Sequence, residues 1–185
     1  MKRTFFILFL LVSIMTNAQG PDGTELGVDA YFGASTNGGN LSLGLKYGFN
    51  FGENYIIGPS FRYQRTWNNN VLTGNKSGFN VFGGGVFGHV RLYNLLFLGA
   101  EFETMRTPLS QGGLVSITNS SWIPTLFLGG GYSQEFNEKI RINAGVMYDV
   151  VNHVQSPFQQ GYFLRKANGA LIPMIYRIAF FFPLT

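Results

Sequence analysis

Few residues in this chain are equipped for chemistry. There are two histidines in 185 residues and no cysteine, which excludes disulfides, thiolate metal sites and a lipidated N-terminal cysteine. His153 precedes Ser156 in His-Val-Gln-Ser. A nucleophile and a base that close could attack an ester, yet no acid follows nearby to orient the imidazole into a triad. They are read as polar loop residues, and no catalytic residue is assigned. The runs Gly83–Gly85 and Gly129–Gly131 lack the Lys-Ser/Thr setting of a phosphate cradle. Glu101 and Glu103, with one residue between them, could hold calcium or act as a general acid, but cations recur in the same phase and offer themselves as ion-pair partners.

That phase carries most of the charge. Asp29, Lys46, Arg62, Glu101, Glu103, Arg141, Asp149 and Arg177 fall on one face of alternating segments, with Glu25, His89 and Arg91 joining them. Counted with Glu25 and Arg91, the set holds five cations and five anions, interleaved with glycines such as Gly44 and Gly99. Balanced charge on an enclosed face suits a packed ion-pair network, because a buried charge without a partner is costly. Arg62, Arg141 and Arg177 are each expected to contact a carboxylate among Asp29, Glu101, Glu103 and Asp149. No metal or cofactor is expected.

The elements that must position these side chains are strands. Leu41-Ser-Leu-Gly-Leu-Lys-Tyr-Gly-Phe-Asn-Phe51 places large apolar residues at every second position, the signature of a strand with one apolar face. The same dyad marks eight segments: Thr24–Ser35, Asn40–Phe51, Asn54–Trp67, Ser77–Leu92, Leu95–Met105, Ser121–Glu135, Ile140–Val151 and Ala170–Pro183. Connections alternate between tight (52–54, 93–94, 136–139) and longer (36–39, 68–76, 106–120, 152–169). Alternating short turns and long loops indicate an all-β, eight-stranded antiparallel up-and-down transmembrane β-barrel, turns in the periplasm and loops outside. Pro59 and Pro124 predict bulges or breaks in the ladder, and Gly83–Gly85 a bulge in strand four. Eight strands enclose a space that side chains can fill, so the lumen is expected to be plugged.

Charged residues are 12% of the chain and aromatics 16%, too few charges to coat a soluble barrel against ~25% in ordinary domains. Lipid is the better solvent for its outside. Trp67 and Trp122 fall at the outer ends of their strands, and Phe51, Tyr55, Tyr93 and Phe136 at the periplasmic ends, forming two girdles. Lys2 and Arg3 followed by the apolar run Phe5–Ile14 and by Thr16-Asn17-Ala18 read as a cleaved signal peptide over 1–18, leaving a barrel over 19–185. Losing Lys2 and Arg3 takes the formal charge from +4 to +2, so nucleic-acid binding is not expected.

The leader, the dyad strands, the alternating loop lengths and the aromatic last strand Tyr176–Phe182 together resemble the small eight-stranded outer-membrane barrels of Gram-negative bacteria, the OmpA-type transmembrane domains and OmpX-like proteins. The chain departs from them in ending Phe-Phe-Pro-Leu-Thr rather than on an aromatic. The resemblance implies the fold and an outer-membrane location; with no catalytic constellation in the sequence, the function expected is that of a non-enzymatic integral membrane protein, structural or accessory to an envelope assembly. Two alternatives stay open: a lipid-modifying hydrolase of the lipid A deacylase kind, whose His-x-Ser spacing is absent, and a narrow channel. Finally, Arg65, Lys76, Arg106, Arg165 and Lys166 lie in or near the outer connections, which contain no Asp or Glu. This basic rim is expected to meet lipopolysaccharide phosphates or an acidic partner surface.

Overall fold

The computed structural model describes residues 22–35, 38–69, 76–108, 120–136 and 139–184. The expected signal peptide, its cleavage before Gln19, and much of the outer connections lie outside the described residues. Seven long strands come first: β1 (Gly23–Ser35), β2 (Gly38–Phe51), β3 (Tyr55–Asn69), β4 (Lys76–Leu92), β5 (Leu96–Thr107), β6 (Ser121–Phe136) and β7 (Ile140–Asp149). A 3-10 turn (Gln159–Gly161) and a small hairpin, β8 (Leu164–Arg165) with β9 (Leu171–Ile172), lead into β10 (Met174–Pro183). The eight staves close in the order β1-β10-β7-β6-β5-β4-β3-β2, every neighbouring pair antiparallel.

Side-chain alternation follows the dyad. Leu41, Leu43, Leu45 and Tyr47 are exposed while Asn40, Ser42 and Lys46, alternating with them, are buried. The same holds for Tyr55, Ile57, Phe61 and Tyr63 on β3 and for Leu96, Leu98 and Phe102 on β5. The barrel is therefore apolar outside and polar within. Its short-turn end is tight. Leu95 N–H donates to the Leu92 carbonyl at 3.0 Å, and the central residues Tyr93 and Asn94 both have positive φ (53° and 52°), the geometry of a hairpin turn that matches strand twist.

Several strand details differ from the sequence expectation. The ladders on both sides of β4 keep one register through Gly83–Gly85, so no bulge forms, and Val81 and Phe87 point inward while Phe82 points out. Pro124 pairs with Thr104 in an unbroken β5–β6 ladder and lies beyond the part of β6 paired with β7, so its missing N–H interrupts nothing. At Pro59 the β2–β3 ladder does skip, from Lys46↔Ser60 to Phe49↔Ile57. The last stave starts at Met174 rather than Ala170. Its ladder to β1 runs only from Glu25↔Pro183 to Ala30↔Ile178. Above that seam the Tyr176 hydroxyl donates to the Phe32 carbonyl, and Phe163 N–H donates to the Met174 carbonyl at 3.4 Å.

Candidate functional site: the charged lumen and its strap

Strand pairing explains which charges can meet. Asp29 on β1 is level with Gly44 on β2, which is level with Arg62 on β3. Gly44 is the spacer: a Cβ there would stand 2.6 Å from an Asp29 carboxylate oxygen. Without it Arg62 reaches across, Nη1 to Asp29 Oδ1 at 2.6 Å. Its Nε lies 2.7 Å from Glu103 Oε2 and its Nη2 3.1 Å from Glu103 Oε1, while Ser60 Oγ donates to Glu103 at 3.2 Å. Lys46 Nζ bridges Asp29 Oδ2 at 3.0 Å and Glu101 Oε1 at 2.5 Å. Arg177 binds Glu101, and His89 Nε2 lies 3.1 Å from Glu101 Oε1. Three cations thus face three carboxylates in the middle of the barrel, all buried.

Apolar layers enclose this network. Toward the short-turn end Ile56, Phe87, Ala179 and Phe181 pack together, with Lys46 over the Phe87 ring at 5.4 Å. Below them Arg91 grips Glu25 with two bonds, at 2.8 and 2.5 Å. Toward the long-loop end Tyr31, Val81, Met105, Phe127, Met147 and Ile175 form a second layer. Beside Asn143, His89 and Arg177 a space of about 10 Å³ remains, room for about one water.

The upper layer includes residues from outside the strands. The connection after β7 turns inward, so Ser156, Phe158 and Tyr162 are buried. Phe158 meets Phe127 edge-on at 4.8 Å and lies 5.8 Å from the Arg62 guanidinium. Gln64 Nε2 donates to the Pro157 carbonyl at 2.8 Å. The alternation of short and long connections predicts an outer loop over 152–169; instead part of it folds inward as a strap. Its anchor is Asp149, which accepts from Tyr162 OH at 2.8 Å, from Asn152 N–H at 3.0 Å and from Ser156 Oγ at 3.5 Å. Burial pushes the Tyr162 phenol up, and the neighbouring Asp149 pushes it further, so it stays a donor.

Two expected pairings are therefore corrected. Asp149 has no cation within ion-pair distance among the described residues; it stands at the top of β7, beneath the strap, and holds that instead. Arg141 contacts none of Asp29, Glu101, Glu103 and Asp149. Paired in register with Glu135 across the β6–β7 hairpin, it binds Glu135, with Ser133 Oγ at 3.4 Å and Asn94 Oδ1 at 3.2 Å. It sits one residue inside the short turn, too low to reach the central carboxylates. His153 Nδ1 accepts from Gln155 N–H at 3.1 Å, while the Ser156 hydroxyl engages Asp149 and Phe158 N–H, so the two side chains are not joined as base and nucleophile.

The basic-rim residues stand at the long-loop end. Arg65, Arg106, Arg165 and Lys166 are exposed, Arg165 donating to the Gly169 carbonyl at 3.3 Å. Lys76 opens β4, and its side chain lies outside the described residues.

No family model and no curated protein matches the chain. Among solved structures, the N-terminal β-barrel domain of Pseudomonas aeruginosa OprF superposes with a TM-score of 0.48 at 12% identity, covering 90% of this chain and 100% of that one. Yersinia pestis outer membrane protein Ail, solved in a phospholipid bilayer nanodisc, gives 0.48 at 11% identity with the same coverage. The fold assignment rests on the closed ladder itself. This chain is an eight-stranded antiparallel barrel.

Proposed function

We propose that the chain is an integral outer-membrane protein, non-enzymatic, whose sealed barrel serves as a structural or accessory part of the cell envelope. The inside-out distribution of its side chains carries the reading. Leu, Ile, Phe, Val and Tyr residues ring the outside while Asp29, Lys46, Arg62, Glu101 and Glu103 are almost wholly enclosed. Water would oppose that arrangement, and hydrocarbon would favour it. A closed sheet also satisfies backbone groups without solvent, as a bilayer requires. The basic long-loop rim then meets the anionic outer leaflet. The Glu101–Glu103 pair neutralises cations inside, and the strap closes the mouth above them, which supports a structural role over transport or hydrolysis.

The test is location and folding together. Expressed in a Gram-negative host, the protein should fractionate with outer membranes, resist alkaline extraction, and migrate faster unboiled than boiled. Recovery as a soluble periplasmic protein would contradict the proposal.

A further inference from the structure

Arg65 and Arg106 both leave the lumen phase and point outward, yet neither hangs free over the rim. Arg65 on β3 is paired in register with Asn80 on β4, and its Nη1 donates to Asn80 Oδ1 at 2.7 Å. Tyr63 OH donates to the same oxygen at 3.0 Å. Gly78, two residues further along β4, makes room: a Cβ there would stand 3.1 Å from Arg65 Nη2. From the other side Arg106 on β5 is level with Phe82 on β4 and Trp122 on β6. Its guanidinium lies 5.7 Å from the Phe82 ring centre, and its Nε donates to Ser120 Oγ at 2.8 Å. The two arginines thus flank one outward stripe, Gly78, Asn80 and Phe82. Their backbones are about 10 Å apart across β4 and about 7 Å along it.

Two observations indicate what this stripe takes. First, both guanidiniums are held by neutral acceptors, and no carboxylate among the described residues lies within ion-pair distance of either. Among the described residues every acid is buried inside the barrel, as Asp29, Glu101, Glu103 and Asp149 are, or stands near the short-turn end, so the positive charge is uncompensated. Second, Trp67 is level with Gly78, and Trp122 with Arg106. A tryptophan belt marks head-group depth, where an arginine facing outward meets phosphate rather than acyl chain. Forked donors around a planar cation suit that anion.

We propose that Arg65 and Arg106, seated by Asn80 and Ser120 over β4, bind the phosphate of an outer-leaflet glycolipid head group. The site rests on the membrane placement above and gives the basic rim a specific address. Arg165 and Lys166, on the β8–β9 hairpin, are not part of it.

The folded barrel in detergent micelles, titrated with bisphosphorylated lipid A and followed by native mass spectrometry, tests this. Wild type should retain the lipid. The Arg65→Gln/Arg106→Gln variant should bind it about tenfold or more weakly, while Arg165→Gln/Lys166→Gln should bind within about twofold of wild type. Lipid A stripped of phosphate should not be retained, and inorganic phosphate at the same concentration should not compete. Unchanged binding in the Arg65/Arg106 variant, or equal binding of dephosphorylated lipid, would overturn the site. Equal competition by inorganic phosphate would leave an anion site without a lipid. Heat-modifiable migration of each variant checks that the barrel is intact. A barrel that fractionates with outer membranes yet ignores lipid A would sink this site and leave the membrane placement standing.

Discussion

Glu103 accepts two bonds from Arg62 and one from Ser60, while Asp29 holds the other side of the same guanidinium. Removing one carboxylate from such a set leaves a buried cation in surplus. Glu103→Gln should therefore cost about 3–5 kcal/mol of unfolding free energy, read by urea titration of the barrel in lipid vesicles. Adding Arg62→Met restores neutrality at about the same volume, and the double variant should recover part of the loss. A double variant as costly as the two single losses added would show that these groups are not coupled. The strand dyad puts Arg62, Glu103, Lys46, Asp29, Glu101 and Arg177 on the inward face, because facing depends only on parity along a strand. Pairing depends on height, and height follows from register. Arg141 illustrates the difference: the alternation turns it inward, but only the Glu135↔Arg141 register puts it at the short-turn end. Counting back through that tight hairpin would have found its partner.

The strap is the element that periodicity could not reveal. Residues 152–169 have no dyad, and a loop folded into a lumen shares its polar composition with one in solvent. The one available signal was a pair of buried-type groups, Pro157-Phe158 and Tyr162, inside an outer connection. Its fastening predicts a pH response. The phenol of Tyr162 titrates above its ordinary value in the folded chain because it is buried and faces Asp149. Its contribution to stability is complete below the unfolded value of about 10, and is lost as pH rises beyond it. The thermal midpoint of the wild type should fall more steeply above that pH than that of Tyr162→Phe, which has no proton to lose. Parallel profiles for the two would show that the strap is held by something other than this bond. Strand four teaches the opposite lesson. Its glycine run suggested a bulge, yet the flanking ladders on β3 and β5 keep their register, since neighbours on both sides hold it flat.

Across the whole molecule charge is sorted by depth. Five cations, Arg65, Lys76, Arg106, Arg165 and Lys166, belong to the long-loop end, where Asp149, buried beneath the strap, is the one acid among the described residues, while Asp22, Glu53 and Glu135 belong to the other. Between them lie balanced groups sealed by Phe87 and Phe181 below and by Phe158 and Tyr162 above. The fold was legible in the sequence because barrel strands keep a strict period of two and an up-and-down barrel a strict alternation of short and long connections. The seal was not, because it is made by a segment with no period. Current across a planar bilayer containing the purified protein measures that seal most directly. The filled, strapped lumen predicts no steady open level at moderate voltage; a persistent large conductance from the wild-type barrel would contradict it.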